Sequence, residues 1–366
     1  MAREIRDKLV EELVDLLQKR DGERQAIVLQ DFPDPDAISC AFAYRTIAEA
    51  FGIESDILYA GRISHQENIA LIHLLGIDLL WWDRDKPIPR GRYQSAVCVD
   101  NQGTTSALTE LIEAAEVPFL VVIDHHADQE RLHPVFMDVR PAIGSCAAIL
   151  SYYLAEGALP LKMAKPEHRK LATALMHGIV SDTGSMIHAS ALDFASAAYL
   201  QPFVYPDMLV EILHQQRSHK VMEVIQVALA NRIVRENFCF SGVGYLRADE
   251  RDAIPQAADF LLTEETVHTV VVYGIVINAD GDETIHGSLR TTKNTLSPDV
   301  FLKEVLGRSE DGGYYGGGKA MAGGFEIRLG FLSGHDDSEL ASIKWETFDR
   351  KIRRKFFAKI GIDEEG

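Results

Sequence analysis

Residues 26–39 read AIVLQDFPDPDAIS, an apolar run that passes directly into three aspartates and two prolines. The run AIVL (26–29) predicts a short buried strand, and Asp31, Asp34 and Asp36 lie where that strand should end. Asp is favoured both in turns and at helix N-caps, so the stretch fits a turn that leads into a helix. Carboxylates gathered at a strand end also suit a metal ion, and the stretch alone leaves both interpretations open.

Strand-like and helix-like segments alternate through the first half of the chain. Short apolar runs predict strands at AIVL (26–29), DILYA (56–60), LLWWD (79–83), SAVCVD (95–100) and FLVVID (119–124). Apolar residues at helical spacing predict helices over 3–20, 37–51, 67–76 and 104–115. This order predicts an α/β domain with a doubly wound, mostly parallel sheet.

The second half of the chain has a different organisation, with helices predicted to dominate from about 145 to 236. Beyond them, predicted strands near 239–247, 269–278, 284–291 and 325–332 mix with predicted helices near 254–265, 297–306 and 338–360. We therefore predict a domain 1–214, a helical linker 215–235 and a smaller mixed α/β domain 236–366. An interdomain cleft is the expected place for substrate.

The composition disfavours several classes of function. The 366 residues include 37 Lys and Arg against 55 Asp and Glu, and the resulting net charge of −18 disfavours binding to duplex DNA. The four cysteines form no CxxC pair and are interpreted as reduced thiols. The sequence has no apolar stretch of membrane-spanning length and begins with charged residues, so we expect a cytoplasmic protein without membrane contact. A homodimer is left open.

Asp and His residues recur near the ends of predicted elements, at PDPD (33–36), Asp100, DHH (124–126) and Asp182. In a doubly wound sheet, ligands bind beyond the carboxyl ends of the strands. PDPD, Asp100 and Asp182 each fit turn or capping chemistry as well, whereas two adjacent histidines after a carboxylate fit a metal site better. Such groups at one edge would repel one another without cations, and carboxylate–imidazole sets suit Mn²⁺ or a similar ion.

Six segments of the sequence can be compared with the motifs of a known family. Four come from the first half: PDPDAIS (33–39), VCVDNQG (97–103), VVIDHHAD (121–128) and GIVSDTGS (178–185). Two come from the second half: GSLRTT (287–292) and GGGKAMAGGF (316–325). Together they resemble the DHH phosphoesterase superfamily with its DHH-associated C-terminal domain. In length and layout the chain is similar to the RecJ-like stand-alone oligoribonuclease and 3′-phosphoadenosine 5′-phosphate (pAp) phosphatase group.

The resemblance implies a hydrolase of phosphate esters that uses two Mn²⁺ ions, or Mg²⁺ or Co²⁺ in their place. In such a mechanism the two ions activate water and hold the phosphoryl oxygens. By resemblance, Asp34 binds the first ion, Asp36 binds the second, and Asp100 bridges both. His125 and Asp182 would complete the second ion's ligands.

The resemblance also implies catalytic roles for Asp124, His126 and Asp100. Asp124 would orient a histidine, and His126 would face the substrate phosphate or the leaving group. Gln30 stands where the family usually has a histidine that binds the first ion. An amide oxygen is a poorer ligand than imidazole, and strand alternation should point the neighbouring Asp31 to the other face. The first ion is therefore expected to bind weakly, or Asp31 replaces the missing ligand.

The C-terminal residues that the resemblance assigns to substrate binding are Ser288, Arg290, Gly316, Gly317, Gly318 and Lys319. Alternation places Ser288 and Arg290 on one face of a strand, although Arg290 also fits an exposed strand residue. Glycines let a phosphate or a base approach the backbone, although the run also fits a flexible loop. Lys319 stands where the family has histidine, and its point charge favours a more anionic end group.

The expected substrates are short oligoribonucleotides, pAp, and linear or cyclic dinucleotides. An inorganic pyrophosphatase or polyphosphatase of the same superfamily is one alternative. A catalytically weak nucleotide sensor, suggested by Gln30 and Lys319, is another. Arg62 and His65 are weaker candidates for phosphate contacts, and His177 is interpreted as a buried, hydrogen-bonded histidine and not as a ligand.

Overall fold

The chain folds into two compact units, Met1–Gln216 and Arg217–Gly366. The computed structural model describes residues 2–63, 65–278, 281–309, 312–318, 321–334 and 337–362, with side chains from Lys8 onward. The segment 215–235, expected as a linker, contributes the helix His219–Asn231 to the second unit. Within the described ranges, no helix combines the length and the apolar character needed to cross a bilayer.

The first unit contains a six-stranded parallel sheet. Its strands are β1 (Arg24–Val28), β2 (Glu54–Tyr59), β3 (Leu80–Trp81), β4 (Ser95–Val99), β5 (Phe119–Asp124) and β6 (Phe136–Val139). They lie in the order β3-β2-β1-β4-β5-β6, and every neighbouring pair is parallel. This doubly wound order confirms the predicted fold class. The sequence did not predict β6, because four residues between two prolines carry too short a pattern.

Helices cover both faces of this sheet. They are α1 (Ala2–Gln18), α2 (Pro35–Glu49), α3 (Gln66–Leu75), α4 (Leu108–Ala114), α5 (Cys146–Ala155), α6 (Pro166–Asp182), α7 (Ala191–Leu200) and α8 (Pro206–Leu213). Consecutive side chains of β1 enter opposite cores, since Ile27 packs with α1, α2 and α6 and Val28 packs with α4. Because both faces are buried, the strand appears in the sequence as a continuous apolar run.

The strand order reverses at the middle of the sheet, between β1 and β4. Strands β2 and β3 lie beyond β1, and strands β5 and β6 lie beyond β4. The connections that leave β1 and β4 therefore diverge and open a crevice at their carboxyl ends. The PDPD segment follows β1 and Asp100 follows β4, so the topology brings the two acidic segments to one edge.

The second unit contains a mixed sheet with helices. Its strands are β7 (Ile233–Arg235), β8 (Phe238–Arg247), β9 (Thr269–Ile277), β10 (Glu283–Thr291), β11 (Gly316–Gly318) and β12 (Ala322–Arg328). They lie in the order β11-β12-β10-β9-β8-β7, with β8 and β9 parallel and the other neighbours antiparallel. The helices are α9 (His219–Asn231), α10 (Ala253–Leu261), α11 (Pro298–Leu306) and α12 (Ser338–Ile360). The predicted smaller mixed α/β domain is confirmed.

One predicted strand of this unit was misplaced, and the flexible loop that was left open as an alternative for the glycine run was wrong. The strand predicted at 325–332 begins and ends earlier, as β12, and Gly330–Leu332 form a turn of 3₁₀ helix. The glycine run is not a loop at Gly316–Gly318, which pair with β12 as an edge strand. Glycines show no side-chain alternation, so their pairing is invisible in the sequence. A Cβ on Gly318 would lie 2.5 Å from the carbonyl oxygen of Ala322, so this close approach requires glycine.

A buried carboxylate joins the start of α7 to the loop before α5. Asp193 is fully buried and accepts hydrogen bonds from the N–H of Gly144 at 2.9 Å and from the hydroxyl of Ser145 at 2.7 Å. It also accepts from the N–H of Ser190 at 2.7 Å, as part of a capping box. This one side chain therefore satisfies donors from two separate segments.

We expect Asp193→Ala to lower the free energy of unfolding of the first unit by about 3 kcal/mol, because several buried donors lose their acceptor. The measurement is the denaturant midpoint of Trp81 and Trp82 fluorescence in a Trp345→Phe background, where the signal reports the first unit. Asp207→Ala, at an exposed position, is the matched control and should move the midpoint little. Equal midpoints for the two alanine variants would contradict this role of the carboxylate.

Candidate metal centre

The site residues predicted in the first unit lie at the ends of four elements. They are Asp34 and Asp36 at the start of α2, Asp100 after β4, Asp124 at the end of β5 with His125 and His126 beyond it, and Asp182 at the end of α6. Strands β4 and β5 end at the carboxyl edge of the sheet, and α2 begins shortly after β1 at the same edge, where a doubly wound fold binds its ligands.

Asp36 is held by the first turn of α5. Its carboxylate is fully buried and accepts from the N–H of Cys146 at 2.7 Å and from the N–H of Ala147 at 2.9 Å. Gly178 of α6 lies so close that a Cβ there would be 2.9 Å from the Asp36 Oδ1 atom. Burial, reinforced by the charge of Asp182, raises the pKa of Asp36 to about 8. The sequence did not reveal these supporting backbone groups, because their contact with Asp36 spans more than a hundred residues of chain.

Asp100 is the least compensated side chain of the site. It is 1% exposed, and neither carboxylate oxygen has a hydrogen-bond partner among the described residues. Its φ of 58° is a left-handed conformation, which Asp adopts more readily than most residues but which still costs energy and is found at functional sites. Burial, together with Asp34 and Asp36, raises the pKa of Asp100 well above its usual range. A buried carboxylate without donors needs a cation or a proton.

His125 lies between the carboxylates. Its Nδ1 atom is 3.2 Å from the carbonyl oxygen of Ile143, and its Nε2 atom is 3.0 Å from Asp182 and 3.4 Å from Asp100. A hydrogen bond from Nδ1 to the carbonyl would leave the Nε2 lone pair for a metal ion. Burial alone would lower the pKa of His125, but Asp100 and Asp182 outweigh burial and raise it to about 12. Metal binding would therefore have to displace a proton from this ring.

Asp124 orients the second histidine of the pair. Its Oδ1 atom is 2.8 Å from the Nδ1 atom of His126, and its Oδ2 atom accepts from Gln102 at 2.7 Å. Burial opposes the charged form, but the bonds from His126 and Gln102 outweigh burial and lower the pKa of Asp124. The His126 side chain is 38% exposed, so a substrate can reach it. Sequence reasoning missed Gln102, although it lies two residues after Asp100 in VCVDNQG.

Two overlapping sets of side chains are placed to bind a metal ion: Asp36, His125 and Asp182 form one, and Asp100, His125 and His126 form the other. Within each set the ligand atoms lie within 4.8 Å of one another. The resemblance assigned His126 to the substrate, and the geometry allows it as a ligand as well. Carboxylate and imidazole donors beside an uncompensated buried carboxylate fit a borderline divalent ion such as Mn²⁺.

The ligands expected for a first ion are arranged differently. Asp34 is the N-cap of α2, and its Oδ1 atom accepts from the N–H of Ala37 at 2.9 Å. After burial itself, the charge of Asp34 contributes most to the raised pKa of Asp100. Neither ligand set within the described part of the chain includes Asp34 or Gln30.

Asp31 does not replace Gln30 in this arrangement. Its Oδ1 atom accepts from the N–H of Ala107 at 2.9 Å, and its Oδ2 atom lies 3.7 Å from the guanidinium of Arg84. The Asp31 carboxylate therefore faces the loop after β4 and is held there by Ala107 and Arg84. Side-chain alternation had already suggested that Asp31 would not point to the same face as Gln30.

Four of the predicted substrate residues line a cavity of about 520 Å³ in the second unit: Ser288, Arg290, Gly316 and Gly317. Gly318 follows in β11, with its N–H 3.3 Å from the carboxylate of Asp299. Lys319 lies outside the described residues. The Arg290 guanidinium donates to Ser288 at 2.8 Å and to Asp259 at 2.7 Å, so it is held in one orientation.

The same cavity contains residues that sequence reasoning missed. Arg251, His286 and Tyr314 border it. Burial and the charge of Arg251 lower the pKa of His286 to about 4. Strand alternation could have identified His286, because it lies two residues before Ser288 on the same face of β10.

We expect Asp100→Asn to make the metal-free protein more stable or leave its stability unchanged, because it removes a buried charge beside Asp36 and Asp34. Asparagine also tolerates the left-handed backbone at this position. Mn²⁺ should raise the melting temperature of the wild type, because at a hundredfold excess over Kd a bound ion adds about 3 kcal/mol to the free energy of unfolding. The same Mn²⁺ concentration should stabilise the variant much less. The measurement is thermal unfolding with chelator and with Mn²⁺, and Asp78→Asn, at an exposed position, is the control. A destabilised variant that keeps the full Mn²⁺ effect would contradict a ligand role.

Comparison with known proteins identifies the family. The family model described as the DHH family, N-terminal domain, matches residues 25–179, which run from β1 to α6. An uncharacterized protein of Methanocaldococcus jannaschii is 39% identical over 355 residues, which cover 95% of this chain and 67% of that protein.

A solved structure shows the same fold. An exopolyphosphatase-related protein from Bacteroides fragilis has a TM-score of 0.67 at 15% identity, over 94% of this chain and 98% of that one. A RecJ exonuclease bound to manganese has a TM-score of 0.46 at 14% identity, over 94% of this chain and 93% of that one. With its parallel sheet, its DHH segment and this family match, the chain belongs to the DHH phosphoesterase superfamily.

Proposed function

We propose that this protein is a metal-dependent hydrolase of phosphate esters in nucleotides, with short oligoribonucleotides, pAp, and linear or cyclic dinucleotides as substrates. The observation that carries the proposal is the buried carboxylate of Asp100, which has no hydrogen-bond partner among the described residues. It belongs to the ligand set of Asp100, His125 and His126, which shares His125 with the set of Asp36, His125 and Asp182. A buried carboxylate without a partner destabilises the folded protein, and a bound divalent ion would compensate its charge.

The residues of the first unit support distinct roles in this reaction. Asp36, Asp100, His125 and Asp182 would hold the metal, which supplies Lewis-acid activation of water and charge neutralisation at the phosphoryl group. His126 is exposed to substrate and fixed by Asp124 at Nδ1, so its Nε2 atom remains for a phosphoryl or leaving-group oxygen. Because Asp124 is also held by Gln102, rotation of the His126 ring is restrained.

The cavity of the second unit supports a nucleotide as the substrate. It offers the guanidinium groups of Arg251 and Arg290 for phosphate oxygens and the ring of Tyr314 for a base. The short glycine strand lets a ligand approach the backbone. An inorganic polyphosphate would use the cations but would have no need of the aromatic side chain.

A second candidate is hydrolysis of pyrophosphate or polyphosphate. It is favoured by the similarity in fold to an exopolyphosphatase-related protein, although 15% identity supports the fold alone. The metal centre is compatible with this chemistry, because carboxylate and imidazole ligands do not discriminate between a phosphate ester and a phosphate anhydride.

The test is a hydrolysis screen with Mn²⁺ over short RNA, pAp, a cyclic dinucleotide, pyrophosphate and tripolyphosphate. We expect Mn²⁺-dependent release from a nucleotide, and a loss of more than about 100-fold in Asp100→Ala, since removing even an outer partner of a metal ligand costs up to that factor. Arg290→Ala should raise KM for the nucleotide and leave turnover of bis-p-nitrophenyl phosphate unchanged. Preference for pyrophosphate or tripolyphosphate would favour the second candidate. Nucleotide binding with no release from any substrate would identify a sensor.

A further inference from the structure

The two ligand sets of the metal centre depend on the same atom. His125 belongs to both sets. Its Nδ1 atom is 3.2 Å from the carbonyl oxygen of Ile143, and its Nε2 atom lies 3.0 Å from Asp182 and 3.4 Å from Asp100. An imidazole that donates from Nδ1 keeps one lone pair, at Nε2. Because one lone pair binds one ion, the two sets describe neighbouring positions for a single ion and cannot both be filled.

The carboxylates of the centre differ in how far their charge is already compensated. Asp36 accepts from two backbone N–H groups of α5, and Asp34 accepts from the N–H of Ala37. Asp100 is 1% exposed and has no hydrogen-bond partner among the described residues. The charge that most needs a cation is therefore that of one carboxylate, and an ion bound at His125 would lie directly beside it.

The second histidine of the DHH segment does not supply a nitrogen for another ion. The Nδ1 atom of His126 lies 3.9 Å from Asp100, but it is 2.8 Å from the Oδ1 atom of Asp124. A nitrogen that donates its proton to a carboxylate has no lone pair for an ion. This ring is also the one that the proposed function places against the substrate.

The side chains that follow β1 offer little to a second ion. Gln30 is half-buried and presents a neutral amide, which binds Mn²⁺ less well than imidazole does. The Oδ1 atom of Asp31 accepts from the N–H of Ala107 at 2.9 Å, so this carboxylate is turned to the loop after β4. The Oδ1 atom of Asp34 caps α2. These residues would therefore offer a second ion oxygen atoms alone.

We propose that the metal centre holds a single ion of the Mn²⁺ class, bound through the Nε2 atom of His125, and that the amide at Gln30 keeps a second ion from binding tightly. The inference departs from the two ions that the resemblance implies. It deepens the proposed function and rests on it for the chemistry of the ion. With one ion to activate water, contact with the remaining phosphoryl oxygens falls to His126.

The test counts manganese in the full-length protein without nucleotide. The protein is stripped with chelator and dialysed against a series of Mn²⁺ concentrations, and bound manganese is measured by elemental analysis and by electron paramagnetic resonance. We expect one ion per chain in the wild type, with the signal of an isolated ion. Gln30→His should bind two ions per chain with an exchange-coupled signal. Its second binding step should be at least about 100-fold tighter than in the wild type, because it gains a nitrogen ligand.

Asp31→Asn is the matched control, since it changes the neighbouring carboxylate and should leave the count at one. Two tightly bound ions in the wild type, a single ion in Gln30→His, or loss of manganese in Asp31→Asn would each overturn the proposal. If Gln30→His fails to fold, Asp34→Asn decides the matter. Asparagine can still cap α2, so this variant should keep its one ion, and loss of that ion would contradict the assignment.

The ion count separates this inference from the proposed hydrolysis. A wild type that binds two ions and cleaves nucleotides would refute only the single-ion centre. A wild type that binds one ion, gains a second in Gln30→His and cleaves no nucleotide would support the single-ion centre and refute only the catalytic proposal.

Discussion

The first unit depends on one electrostatic constraint, the burial of the Asp100 carboxylate at the end of β4 without a donor among the described residues. An ionised carboxylate in such a place costs several kcal/mol unless a positive charge is beside it. His125 supplies part of that positive charge in the metal-free protein, because Asp100 and Asp182 raise its pKa and so favour the protonated ring. The left-handed backbone at Asp100 adds strain at the same residue. Both costs are explained if this edge of the sheet is built for metal ions.

The surrounding structure holds the ligands in place with backbone groups and small residues. The N–H groups at the start of α5 bind Asp36, where a helix N-terminus favours negative charge. Asp193 fixes the loop before α5, and Gly178 allows α6 to approach Asp36. Ligands attached to helices and strands in this way are positioned more accurately than ligands on free loops.

The sequence predicted the parts of this arrangement that depend on local pattern. Buried parallel strands give apolar runs, so β1, β4 and β5 were found, and the acidic residues after them identified the binding edge. The sequence could not predict β6 or the pairing of Gly316–Gly318, because short or glycine-only strands carry no alternation. The sequence also did not show that both ring nitrogens of the buried His177 lack a hydrogen-bond partner among the described residues. Nor did it show that the first turn of α5 donates two hydrogen bonds to Asp36. Both result from contacts between residues that are far apart in the chain, which periodicity cannot show.

The most direct test of the account is anomalous diffraction at the manganese edge from crystals grown with Mn²⁺. The account predicts at least one strong peak within about 2.5 Å of a carboxylate oxygen of Asp100, with the His125 Nε2 atom as a further ligand. Density without a peak at this position, and with the Asp100 carboxyl group protonated and hydrogen-bonded to His125, would contradict it.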